Sequence, residues 1–364
     1  MALCAVRIRK EGALRHATGG LSMFKRIAVD VGYVDVKALA SSGERISFPS
    51  VIAPEEEDLA LDDALGARRA NQRVTIQKPG GVQEAWLFGR AALAAPGAMR
   101  PWAEEASSRD GYDVLVMAAL ASLVRGALPG TVDVDLVLGL PLGVYGAQRE
   151  KLRESLKGWE ANVSVNDRMP MRLRIFSVLV LPQAIGAYYA AVLNPDGSMR
   201  ADLVKRPTGV IDVGGRTTDY FVMQRDEGGL RPVKALSGSL DTGTIGVYEA
   251  LRRRAQAVTG HMIDNLRVEA ALRDQDGILL DMGREIDLKP WLQEEARAAA
   301  RQIANELRVA WGKHLAALGS VLLAGGGALL MGEHLRALHP ALKIVDDPVY
   351  ANAAGFLAAR AMAT

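Results

Sequence analysis

The sequence predicts an α/β protein made of two related halves, and three observations carry that reading. Gly209 to Tyr220 reads GVIDVGGRTTDY, an apolar strand ending at Asp212, a tight Gly214-Gly215 turn and a second strand. A weaker copy, RIAVDVGYVDVKA at Arg26 to Ala38, places the same Asp-Val-Gly 182 residues earlier, at Asp30, Val31 and Gly32. After each hairpin, short apolar runs of strand type alternate with apolar residues at helical spacing. Two such hairpins, each opening half of the chain, predict a duplicated domain with a ligand held between the halves.

The bulk composition agrees with this. The chain has 364 residues, enough for two domains with sizeable cores, and is 49% hydrophobic and 24% charged. No run of about 18 apolar residues marks a membrane span. Cys4 is the single cysteine, which excludes a disulfide scaffold or a cysteine metal site and predicts a reducing, cytoplasmic setting. Residues 1–22 hold a net +3 of the whole chain's +2, so the body carries −1 and shows no basic groove for nucleic acid. Those 22 residues lack clear periodicity and read as a disordered or non-native extension.

Taken in order, Phe24–Val31, Val34–Ala40 and Arg45–Val51 read as three strands in a meander. Glu55 to Asp58 reads as a solvated acidic loop. Residues 73–88 read as a hairpin around Pro79-Gly80-Gly81, within a small insertion at about 55–105. Tyr112–Leu128 has helical spacing and stops before Pro129-Gly130. Val132–Leu138 is a buried strand, Tyr145–Lys157 a helix and Leu173–Leu181 another strand. Pro182 then suits the start of a helix at Gln183–Leu193. The turn Asn194-Pro195-Asp196-Gly197 opens a boundary over 194–206. The domains are thus 23–200 and 201–346, with 347–364 as a C-terminal helix returning to the first.

The second half adds a third strand near Leu230–Leu236. The small polar segment Ser237–Thr244 follows, before a helix at Ile245–Val258. Backbone donors at that helix start, including Gly243, suit a nucleotide; an ordinary Asp or Thr cap explains the same residues equally well. Helices follow at Asn265–Leu272 and Leu288–Leu315, with a hairpin between them. Ser320–Leu323 is a strand leading through Gly325-Gly326-Gly327 into a helix. Val349–Ala363 is a final helix whose small residues permit close packing.

Five segments now stand in order: DVGYVDVK at 30–37, LPQAIGA at 181–187, DVGGRTTD at 212–219, LAGGGA at 323–328 and YANAAGF at 350–356. The set resembles the phosphate 1, connect 1, phosphate 2, adenosine and connect 2 segments of the actin, heat-shock chaperone and sugar kinase superfamily. The length from Met23, GLPLGVY at 139–145 and DVGY at 30–33 are most similar to ParM/StbA-type bacterial and archaeal actins.

The resemblance implies an actin-like fold, two duplicated RNase H-like domains around a nucleotide cleft. It further implies ATP, or GTP in its place, with Mg²⁺, slow hydrolysis by the monomer, and polymerisation into a polar filament that moves plasmid DNA through a DNA-binding adaptor. Asp30 and Asp212 would orient Mg²⁺ through water. Gly32, Gly214, Gly215, Thr217 and Thr218 would contact phosphates, with Lys37 at a position that carries a phosphate-binding lysine in several members. Gln183 would position the attacking water, and Gly325, Gly326 and Gly327 would pack on adenosine. Tyr33 stands in the first phosphate loop, where smaller residues are usual. Arg216 reaches either a phosphate or solvent. Two rival readings stay open: a small-molecule kinase using Asp35 or Asp219, and a non-motor ATP-binding assembly scaffold.

Overall fold

The computed structural model describes residues 12–15, 21–55, 72–101, 111–124, 131–166, 168–200, 204–227 and 229–363. The chain separates into two compact units. One takes the residues up to Leu138 and Gln148–Val180; the other takes Gly139–Ala147 and Leu181–Ala363. The helices at Gln183–Val192 and Ala351–Met362 therefore both belong to the second unit, a different partition from the linear one at residue 200.

The first unit is built on a mixed sheet. Its strands are β1 (Gly12–Arg15), β2 (Leu21–Val31), β3 (Asp35–Ala40), β4 (Arg45–Pro49), β5 (Ile52–Pro54), β6 (Arg73–Gln77), β7 (Gln83–Phe88), β8 (Thr131–Leu140), β9 (Glu160–Val165) and β10 (Met171–Pro182). They lie in the order β4-β3-β2-β8-β10-β9-β6-β7-β5, with β1 beside β2. Strands β2 to β4 form the antiparallel meander, and β8 runs parallel to β2.

Three expectations change here. The hairpin β6–β7 is part of this sheet, joined to it through β9, so its alternating residues pack into the unit's own core. Glu55 is not solvated; its carboxylate takes the guanidinium of Arg73 at 2.5 Å. Within residues 1–22, Gly12–Arg15 and Leu21–Ser22 are in strands. Because β3 pairs with β2 only from Ile27 onward, the edge at Leu21–Phe24 is left for β1, a backbone pairing that needs no side-chain periodicity. The rest of that extension, and the acidic run from Glu56, fall outside the described residues.

Helix Tyr112–Leu123 is apolar nearly all round and almost wholly buried. It touches β2, β3 and β4 as well as β6, β7 and β9, so the sheet curls about it. It ends at Val124, whose ψ of 83° is not helical, short of the expected Leu128. On β8, Asp133 and Asp135 are buried, and each has a guanidinium partner: Arg174 at 2.6 Å and Arg26 at 2.9 Å.

The second unit repeats the plan. Its strands are β11 (Thr208–Val213), β12 (Thr218–Asp226), β13 (Gly229–Pro232), β14 (Gly238–Leu240), the separate hairpin β15–β16 (Ile278–Asp281, Arg284–Asp287), β17 (Ser320–Ala324) and β18 (Leu342–Ile344). The main sheet runs β13-β12-β11-β17-β18, with β17 parallel to β11. This matches β4-β3-β2-β8 strand for strand. The hairpin registers match as well: Asp30 lies opposite Lys37, and Asp212 opposite Asp219. Helix Lys289–Trp311 buries Ala296, Ala300, Ile303, Ala304, Leu307 and Trp311, one stripe at helical spacing. The Trp311 indole N–H donates to the Leu236 carbonyl at 3.1 Å.

Candidate functional site

In the second unit the Gly turn is closed by one backbone bond, Gly214 N–H to the Thr217 carbonyl at 2.9 Å. The carbonyls of Gly214 and Gly215 accept from the N–H groups of Thr244 and Ile245, at 3.2 and 2.8 Å. The turn thus rests on the start of helix Thr244–Thr259 and caps its first two donors. Gly243 is needed for that seating, since a Cβ there would lie 2.4 Å from the Gly215 carbonyl oxygen. Thr218 is fully buried and its hydroxyl donates to the Thr242 carbonyl at 2.7 Å, so it ties the hairpin to the preceding segment. Thr217 is half-buried. Arg216 is partly exposed and lies 3.7 Å from Asp241.

Asp212, at the end of β11, is buried. Its Oδ2 accepts from the Asn352 side-chain N–H at 2.8 Å. Its Oδ1 faces Gly325, where an added Cβ would stand 2.4 Å from that oxygen and 2.3 Å from the Val213 carbonyl. Gly325 also has φ +86°, a conformation glycine adopts freely. Gly327 closes on the Val213 side chain, while Gly326 is exposed with open space where a Cβ would point.

Gln183 begins helix Gln183–Val192, with its Cγ against Gly139 of the GLPLGVY turn. That helix crosses Ala351–Met362 at Gly186 and Gly355. A Cβ on Gly355 would come within 1.8 Å of the Gly186 carbonyl oxygen. Segments 181–187, 212–219, 323–328 and 350–356 therefore meet inside one unit.

The first unit holds the other hairpin. Gly32 N–H donates to the Asp35 carbonyl at 3.0 Å, the same turn as Gly214 to Thr217. Ser50 supports it from β4's end, its hydroxyl on the Gly32 carbonyl at 2.6 Å and its N–H on the Val34 carbonyl at 2.8 Å. Arg100 donates to the Tyr33 carbonyl at 2.6 Å. Asp30 and Lys37 are both buried, and the Lys37 ammonium sits over Gly32, 3.1 Å from where a Cβ would be.

Asp219 has a different task. Its Oδ2 accepts from the Leu142 N–H at 3.0 Å, capping helix Leu142–Leu156. That helix begins three residues before the expected Tyr145, and a carboxylate at its first turn complements its dipole. Burial pushes the Asp219 carboxyl above the usual range, against the opposing pull of Leu142 and Ser239.

Asn352, Ser50 and Arg100 were not singled out from sequence. Asn352 carried one signal, a polar side chain inside the apolar YANAAGF segment. Ser50 and Arg100 reach their turn only through the fold. A buried Asp212 carboxylate with Gly325 against one oxygen could face the waters of a phosphate-bound Mg²⁺, which takes oxygen ligands and keeps its waters.

Comparison with known proteins agrees with this geometry. A model of the N-terminal domain of actin-like proteins matches residues 28–186, and one of the C-terminal part of archaeal MreB-like actin homologues matches residues 210–337. The chain is an actin-like protein. It is similar to ParM and to the archaeal actin homologues. An archaeal actin homolog of Thermoplasma volcanium is 26% identical over 339 residues, covering 91% of this chain and 97% of the relative. A 15-stranded ParM filament from Clostridium botulinum superposes with a TM-score of 0.79 at 24% identity, covering 92% of this chain and 97% of that one. An archaeal actin homolog in complex with ADP superposes with a TM-score of 0.69 at 22% identity, covering 92% and 98%. The fold is actin-like. Among the described residues no helix is long and apolar enough to cross a membrane.

Proposed function

We propose that the chain is an ATP-dependent, filament-forming actin-like protein, with hydrolysis coupled to polymer dynamics. The observation that carries this is the meeting of four nucleotide-type segments around Asp212 within one unit, and a hairpin of identical register at Asp30 in the other. The ParM filament and the ADP-bound archaeal homolog, both similar in fold, support the same reading. ATP would bring the γ-phosphoryl group, and Mg²⁺ the positive charge that offsets its oxygens.

The protein's own residues have distinct parts. Asp212 in one unit and Asp30 in the other would be the residues to orient the metal's waters. The Gly215 N–H and the Lys37 ammonium would face phosphate oxygens, while the Gly214 N–H is already spent on the Thr217 carbonyl. Gly326, with nothing above it, leaves room for the nucleoside. Gln183 orients the attacking water; an amide is no ordinary general base, so its role is position alone. The finer reading is that the filament moves or segregates DNA through a separate DNA-binding adaptor, in the cytoplasm. The kinase alternative loses one candidate, because the Asp219 carboxylate is buried as a helix cap.

Sedimentation of the full chain with Mg²⁺ and ATP, ADP or no nucleotide, with phosphate release followed in parallel, tests the proposal. A nucleotide-dependent pellet followed by phosphate release is expected; protein that stays in solution at every concentration overturns it. Under polymerising conditions Gln183→Ala should slow phosphate release roughly 100-fold, the loss that misplacing a reacting group causes. Unchanged release would remove Gln183 from the mechanism.

A further inference from the structure

We infer that Asn352 is a positioning residue: it fixes the Asp212 carboxylate for the metal and ties it to the helix that carries Gln183. The inference rests on the nucleotide reading above and adds a residue to it. Asn352 is buried in the first turn of helix Ala351–Met362. Its Nδ2 donates to Asp212 Oδ2 at 2.8 Å, and its Oδ1 accepts from the Ala187 N–H at 3.1 Å. The orientation of the amide follows from its neighbours, because an ionised carboxylate only accepts and a backbone N–H only donates.

Neither bond is a repair of ordinary secondary structure. Ala187 is the fifth residue of its helix, where regular geometry already offers its N–H the carbonyl of Gln183. Contact with Asn352 is therefore additional, and it falls one turn beyond the side chain assigned to the water. The approach is possible because Gly186 lacks a Cβ; one placed there would be 2.6 Å from the Asn352 carbonyl oxygen. On the other side, Gly325 stands against Asp212 Oδ1. The carboxylate is thus held at Oδ2 by a single amide, which sets its distance from the Gln183 helix, while the missing Cβ of Gly325 leaves room for Oδ1. Asn352 touches the carboxylate that faces the metal's waters and not the metal; removing outer-shell partners typically changes metal affinity by about 10–100-fold.

The test is calorimetric titration of the full chain with ATP, once with Mg²⁺ and once in EDTA, the ratio of the two affinities being the gain due to the metal. Asn352→Ala should lower that gain roughly tenfold and leave the affinity in EDTA unchanged. Asp212→Ala should remove most of the gain, and the double variant should lose nothing beyond Asp212→Ala, since Asn352 acts through that carboxylate. Equal losses with and without Mg²⁺, or losses that add in the double variant, would overturn the assignment and leave Asn352 a packing residue. Asn352→Leu, closer in volume, gives the same readout should the alanine variant fail to fold. Wild-type protein that binds no ATP in either condition overturns the nucleotide reading itself, and this inference with it.

Discussion

The two hairpins share a backbone and differ in how it is held. In both, an Asp ends the first strand, a glycine N–H bonds the carbonyl three residues on, and the seventh residue past the Asp faces it across the ladder. That facing residue is Lys37 in the first unit and Asp219 in the second. The first hairpin is propped by Ser50, a near neighbour in sequence, and gains its positive charge from its own second strand. The second places two carboxylates opposite each other, an arrangement that costs stability unless each has a donor. Here each has one, Asn352 for Asp212 and the Leu142 N–H for Asp219, and both donors come from distant parts of the chain. The turn is the same in both copies; the second is tied by its carboxylates to distant parts of the chain, while the first is held at its carbonyls by Ser50 and Arg100.

Breaking the distant support should therefore harm the second unit most. Gly355→Ala puts a methyl group into the Gly186 carbonyl and should destabilise by roughly 3 kcal/mol, the upper range for overpacking. Chemical denaturation would show a large fall in midpoint, and an unchanged midpoint would mean that the helix crossing is slack. The first hairpin should show the reverse pattern. If Lys37 faces a phosphate as proposed, Lys37→Met should remove a charge-assisted contact of about 2 kcal/mol, so ATP affinity should fall at least tenfold with little change in the turn. Equal ATP binding by the variant would break the proposed division between a side-chain cation and a backbone turn.

The smallest effect concerns Asp219. Its folded-state pKa is raised, chiefly by burial. The folded protein thus holds this proton more tightly than the unfolded chain. Its contribution to stability is full below the unfolded value and is lost as pH rises through the folded value. Asp219→Asn should flatten that slope between acid and neutral pH while keeping an acceptor for Leu142, as thermal midpoints across the range would show. A slope identical to wild type would remove Asp219 as its source.

Much of this was readable from the chain because turn chemistry is local. The Asp-Val-Gly copies, the Gly-Gly turn and the triple glycine each announce themselves within a few residues. What failed to show was anything assembled across long separations. Asn352 is 140 residues from the carboxylate it holds, and Asp219 is 77 from the helix it caps. The short strands Gly12–Arg15, Gly238–Leu240 and Leu342–Ile344 were also missed, because pairing with a neighbouring strand, not side-chain pattern, makes them strands. Glycine carried a double meaning. Gly243, Gly325 and Gly327 looked like room for a ligand, yet each closes against the protein's own backbone or side chains, and Gly326 alone of the triple glycine opens outward.

The bond between Asn352 and Asp212 also sets an order in time. A ribosome adds roughly 5–20 residues each second, so the turn at Asp212 exists for about 7–28 s before residue 352 is made. During that interval the hairpin can close through Gly214 and Thr217, while its carboxylate still lacks the amide. A nascent chain therefore has the shape of a phosphate loop before it has the aligned acid, and a transcript broken before codon 352 yields a chain with one and never the other.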